Sequence, residues 1–245
     1  MQNEYHAIEI SNQLDPKKKI WRYMSIEKFA LLMSRQQLWF ARADLLGDEH
    51  EGSLPDCLID ARHQRIKDRR VLEKIERGSK ESRKHAFMSC WSMQSPKMLS
   101  MWKIYTPNAS GIAVKTTVGR LSACFLCEPN DDFFHTHNVR IEKVNYINFI
   151  SYEATSDDFD RFTHKQKAYY YEKEIRTIIS SKNPSTVDEP QIGIERKIDL
   201  DILIEDIFVS HLLGDGLELL VEELLLETGI EKDIIQPPFI KQPRF

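Results

Sequence analysis

The sequence predicts an α+β fold, a mixed and mostly antiparallel sheet with helices packed around it, on three observations. Segments such as K-I-W-R-Y-M at 19–24, G-I-A-V-K-T-T at 111–117 and E-K-E-I-R-T-I-I-S at 172–180 combine β-branched content with a period of two. Helical spacing interrupts them irregularly rather than in strict β-α-β order. At 245 residues and 41% hydrophobic content, the chain is long enough for one enlarged domain with a sizeable core.

Taken in order, residues 1–18 are polar, contain Asp15-Pro16, and read as a loosely held lead-in to a single domain over 19–245. After the strand Lys19–Met24, Ser25 is placed to cap a helix whose Ile26, Phe29, Ala30 and Met33 share a face and which ends near Gln36. Leu38–Ala43 reads as a second strand and Asp44–Gly52 as turns. A basic helical insertion at about 54–84 follows; its part 61–84 carries ten Lys/Arg against four Asp/Glu. That charge is either a solvated face laced with i,i+4 pairs or a patch for nucleic acid. His85–Met93 is a strand entering a short helix near Met98–Tyr105, and Phe133–Ile150 is mostly extended. Asp157–Tyr171 reads as a helix with Phe159, Phe162 and Tyr169 or Tyr170 inward, ahead of the strand from Glu172. Ile192–Leu200 and Ile204–Leu212 are further strands. The helix Gly216–Thr228 turns Leu217, Leu220, Leu224 and Leu225 to one side and ends at Gly229, before a broken edge strand at 234–240.

Composition excludes some classes. A net charge of −4 gives no bulk attraction to nucleic acid or anionic membrane, so a basic site must be local. No apolar stretch approaches a bilayer span, no secretory signal is evident, and the four cysteines read as reduced, which together point to a cytoplasmic protein with no membrane partner. Cys124 and Cys127 have C-x-x-C spacing without a second pair, so no metal is expected. Neither a P-loop nor G-x-G-x-x-G occurs among the nine glycines, which argues against a kinase or a Rossmann dehydrogenase.

Three polar motifs remain. In the strand from Glu172, a period of two places Glu172, Glu174 and Arg176 on one face. Buried charges in such a row must pair with each other or serve a ligand. In W-R-Y, Trp21 and Tyr23 share one face and Arg22 takes the other. In F-M-S-C-W-S, Ser89 and Ser92 flank Trp91 at a strand-to-helix junction, where hydroxyls cap backbone or bind a ligand's ribose or phosphate.

The motifs W-R-Y-M-S-I-E-K-F (21–29), L-W-F-A-R…D-E-H-E-G ending at Gly52, F-M-S-C-W-S…M-W-K-I-Y (87–105) and Y-Y-Y-E-K-E-I-R (169–176) resemble the bacterial domain of unknown function 2971 family. More distantly, the succession Arg22, Ser89 and Ser92, then Glu172-Lys173-Glu174 resembles ADP-ribosyltransferases of the Arg-Ser-Glu type, although here two residues separate the serines. The second resemblance implies an ADP-ribosyltransferase-like fold and NAD as substrate. By it, Glu174 stabilises the oxocarbenium-like centre and Glu172 activates an acceptor. It also implies that Arg22 holds the pyrophosphate, that Ser89 and Ser92 order the ribose, and that Tyr23 or Trp91 stacks on a ring. A role in toxin, phage-defence or stress systems fits such chemistry. Two other readings stand beside it: a nucleic-acid-directed nuclease or binder acting through the basic helix, and a non-catalytic interaction module whose Glu-Arg row is an internal ion-pair network.

Overall fold

The computed structural model describes residues 4–48, 50, 52–106, 111–127, 131–149, 160–182, 191–210, 215–230 and 232–236. The chain opens with two short strands, β1 (Glu4–Tyr5) and β2 (Glu9–Ile10), then β3 (Lys19–Met24), helix α1 (Ile26–Arg35) and β4 (Gln37–Arg42). The basic insertion is two helices, α2 (Asp56–Arg65) and α3 (Arg69–Lys84), because Asp68 accepts a hydrogen bond from the Arg70 amide and starts the second one. There follow β5 (Ala86–Ser92), α4 (Leu99–Tyr105), β6 (Ile112–Thr117), α5 (Val118–Ala123), β7 (Leu126–Cys127), α6 (Phe133–Thr136), β8 (His137–Lys143) and β9 (Asn145–Ile147). The last third holds α7 (Asp160–Thr163), β10 (His164–Gln166), β11 (Glu174–Ser181), β12 (Gly193–Lys197), α8 (Leu200–Leu203), β13 (Asp206–Val209), α9 (Asp215–Thr228) and β14 (Ile235–Gln236).

Ten of these strands form one mixed sheet in the order β14-β13-β6-β3-β5-β11-β8-β2, with β4 and β12 branching from it. Its pairings are antiparallel except for β2 with β8 and β14 with β13. The fold is therefore α+β, as the patterning predicts. β5 is the branch point. One of its edges is paired with β11 along its whole length, while the other meets β4 at Phe87 and Met88 and β3 at Ser92. The strands β3 and β4 thus diverge, leaving a fork beside the middle of β5.

Alternation along the strands separates two layers. Ile20 and Met24, Phe87 and Trp91, and Ile175 and Ile179 enter the main core, which α1, α5 and α9 cover through Phe29, Met33, Leu121, Val221 and Leu225. Tyr23 packs on the opposite side with Met101 and Trp102 of α4. Met88 and Ile178 also take that side, with Phe162. Full burial of a side chain such as Phe29 contributes about 2–3 kcal/mol.

Several expectations are corrected. The lead-in is tied down: Ile8 and Leu14 are buried and β2 adds to the sheet beside β8. In place of a helix up to Tyr171 there are α7, β10 and a 3-10 turn Lys167–Glu172, and Tyr170 points to solvent. The backbone turns left-handed at Lys173 (φ 44), so the strand starts at Glu174 rather than Glu172. Phe133–Thr136 is a helical turn, not extended chain. On α9, Val221 and Leu225 face the core while Leu220 is exposed, a rotation of the expected stripe. The parts of the predicted elements at 157–159, 211–212 and 237–240 lie outside the described residues.

Candidate functional site

The row predicted on the late strand forms the centre of a buried ionic cluster. Arg176, fully buried, donates from Nε to Glu174 Oε1 at 3.2 Å and from Nη2 to Oε2 at 3.0 Å, and from Nη1 to the Phe162 carbonyl at 2.8 Å. Lys165 comes in from β10, donating to Glu172 Oε2 at 2.6 Å and to Glu174 Oε2 at 3.2 Å. The Glu174 amide donates to Tyr146 Oη at 2.8 Å. Two cations thus face two carboxylates away from bulk water, the pairing that buried charge demands.

The carboxylates are nevertheless unequal. Burial opposes ionisation of Glu174, but Arg176 and then Lys165 outweigh it and bring its pKa down to about 2. Burial raises the pKa of Glu172, and the single Lys165 ammonium, shared with Glu174, only partly offsets that. Tyr105 is pushed up by burial and then by the charges of Glu172 and Glu174 beside it. It is a proton donor at any physiological pH.

Beside the carboxylates a recess of about 40 Å³ is lined by the side chains of Trp21, Tyr23 and Tyr105, together with Cys90 and Ser92 of β5. It has room for a few water molecules. Tyr23 is fixed by a hydrogen bond from its hydroxyl to the Gln94 carbonyl (2.9 Å) and by an edge-on contact with Trp102 at 5.2 Å. Ser92 Oγ donates to the Glu172 carbonyl (2.5 Å) and accepts from the Gln94 amide (3.0 Å), which pins the turn carrying Glu172. The Trp21 indole nitrogen is buried with no hydrogen-bond partner among the described residues. A donor in that state has to be satisfied by water or a ligand.

Trp91 sends its ring into the main core on the other face, 5.8 Å from the Arg22 guanidinium, and of the seven residues predicted to act together Tyr23, Ser92, Glu172 and Glu174 meet here. Arg22 and Ser89 do not: they bond each other (Nη1 to Oγ, 2.7 Å) on the opposite face of the sheet. The reason is register. Glu174 lies opposite Ser92, and Ser92 opposite Trp21, so these share a face, while the neighbouring Arg22 and the third residue back, Ser89, face away. Lys165, Tyr105 and Trp21 were not anticipated as site residues. Lys165 has no local signal, whereas the W-x-x-Y spacing of Trp102 and Tyr105 on a helix does place both on one side.

A second feature is a basic cleft of about 1100 Å³ between the insertion and the far ends of β8 and β11. Arg62, Arg140, Arg161 and Lys182 line it, with Glu9 as the one carboxylate among its described lining residues. Among the described residues no group of three or more His, Cys, Asp or Glu is placed to hold a metal ion, and no helix is long and apolar enough to cross a membrane. No family model, no curated protein and no solved structure matches the chain.

Proposed function

We propose that the protein cleaves the nicotinamide–ribose bond of NAD, as an ADP-ribosyltransferase or NAD glycohydrolase, with Glu172 and Glu174 as its working carboxylates. The observation that carries this reading is the pair itself: two carboxylates on one lysine, driven in opposite directions, lining an aromatic recess. Environments that push a pair apart divide the labour of acid–base chemistry. Glu174 stays ionised and stabilises positive charge as the C1′–N bond breaks and nicotinamide leaves with the bonding electrons. Water or an acceptor then attacks C1′ and loses its proton to Glu172, a stronger base than an ordinary glutamate. The rings of Tyr23 and Tyr105 offer stacking faces, and the Trp21 N–H seeks an acceptor. A dinucleotide needs a larger chamber than this recess, and Tyr105, 39% exposed on α4, is its most exposed described lining residue. Arg22 and Ser89 take no part in this version of the site. Membership of the domain of unknown function 2971 family belongs to the same proposal.

The test is NAD consumption by the purified chain beside Glu172→Gln, with melting curves for both. The amide keeps an acceptor for Lys165, so the variant should fold while turnover drops at least ~100-fold, the usual weight of a general base. Undiminished turnover in the folded variant, or no consumption by the wild type with protein, nucleic-acid and water acceptors, would refute the reading.

The basic cleft favours a second reading, a nucleic-acid binder. Single-stranded RNA or DNA should then bind at low salt and weaken steeply as salt rises; no binding at 20 mM salt, a low-salt condition of about that size, ends it.

A further inference from the structure

On the side of the sheet away from the carboxylates, a cavity of about 390 Å³ opens between α1 and the diverging strands β3 and β4. That volume falls within the range of small-molecule sites. Met24, Leu31, Leu32, Leu38 and Trp39 make its walls mainly apolar. Leu31 and Trp39, 49% and 39% exposed, sit at the rim. Trp39 is held in place because β12 offers it Gly193, where any Cβ would overlap the indole ring.

Three cations reach this apolar space: Arg22, Lys28 and Arg35. Arg35 is neutralised by Glu195 at 2.8 Å. Arg22 is not neutralised. Its guanidinium sits in the fork between β3 and β4, donating to two uncharged oxygens, Ser89 Oγ at 2.7 Å and the Trp39 carbonyl at 3.1 Å. No carboxylate pairs with Arg22 or Lys28 among the described residues. Burial without a counter-ion shows in the pKa of Arg22, brought down to about 10. A guanidinium in such a position is short of one planar anion, and a carboxylate fits its fork.

We infer that this cavity binds a hydrophobic carboxylate, its anionic head on Arg22 with Lys28 beside it, and its apolar body against Leu31, Leu38 and Trp39. The apolar walls distinguish this ligand from inorganic phosphate or a dinucleotide, and the half-buried cation Arg22 distinguishes it from a neutral lipid. The site is independent of the NAD-cleaving proposal, because β3 and β5 turn Arg22 and Ser89 away from Glu172 and Glu174.

The experiment is calorimetric titration of the full chain with decanoate, below its micellar concentration, and with 2-naphthoate. Decanol and inorganic phosphate each present one half of the chemistry. One of the two carboxylates should saturate a single site at least tenfold more tightly than decanol, and which one does so tells an aliphatic ligand from an aromatic one. Phosphate should not saturate the site. Arg22→Met should abolish binding. Because that variant also removes contacts inside the fold, Leu31→Glu is the decisive second one: it adds a carboxylate at the exposed rim, and should weaken binding at least tenfold with an unchanged melting temperature. Glu172→Gln should bind as the wild type does. Saturation by neither carboxylate, equal binding of decanol, saturation by phosphate, or undiminished binding to Leu31→Glu would overturn the inference.

Discussion

Replacing Arg176 with Met tests whether the ionic cluster is held together as its geometry implies. The substitution keeps an apolar stem inside the fold but removes both bonds to Glu174 and the one to the Phe162 carbonyl. Glu174 is left sharing Lys165 with Glu172. Breaking a buried pair from one side typically costs about 3–5 kcal/mol. The depression of Glu174 from 4.5 to about 2 gives the same scale, about 3 kcal/mol. The sign follows from linkage. A carboxylate with a depressed folded pKa contributes stability that is complete above its unfolded pKa and is lost as pH falls through the folded one. The gap between wild type and variant should therefore be about 3 kcal/mol at pH 7 and shrink to about 2 kcal/mol by pH 3.5. Urea unfolding followed by tryptophan fluorescence at the two pH values measures it. A gap below about 1 kcal/mol at pH 7 would mean that the pair contributes little against its desolvation, and a gap that widens on acidification would refute the assignment of Glu174 as the ionised partner.

Three further outcomes are expected. Gly193→Ala should destabilise by about 1–3 kcal/mol in thermal melts, since the new methyl meets the Trp39 ring and lies 2.6 Å from the Phe40 carbonyl; an unchanged melting temperature would show that Trp39 moves aside freely. Lys173→Gly should be neutral or stabilising by up to about 1 kcal/mol, because glycine adopts φ 44 without the penalty a lysine carries there; a clear loss would mean that the lysine side chain stabilises the turn. Phe29→Ala, at a fully buried position of α1, should cost about 3–5 kcal/mol in denaturant unfolding, and a loss under 1 kcal/mol would show that the core closes over the gap.

Much of the frame was legible because it is local. The alternation in Lys19–Met24 gives both the strand and the opposition of Arg22 to its two aromatic neighbours, and the structure keeps both. Glu174 and Arg176, two residues apart, had to share a face. The same rule, applied to Ser89 and Ser92, puts residues three apart on opposite faces, but the expectation of a strand-to-helix junction there hid it. Other parts depend on distant chain. Lys165 reaches the cluster only because β10 pairs in parallel with β9, and a short strand within an aromatic-rich, helix-like stretch has no signature of its own. Similarly, Lys173 is an ordinary residue in a conformation that favours glycine, so the break ahead of β11 leaves no trace in composition.

The branched sheet also sets how the chain must fold. β5 cannot be completed by its neighbours in sequence alone: Ser89 waits for Arg22, 67 residues before it, and Ser92 for the turn at Glu172, 80 residues after it. Loop closures of that length precede any stabilising contact, which slows folding relative to a helical protein of the same size. During synthesis, β3 and β4 emerge long before β5 and then β11 can pair beside them. Their open edges are the surfaces that a chaperone would have to shield, and the ionic cluster, closed only once Arg176 has emerged, marks the point at which this part of the sheet can assemble.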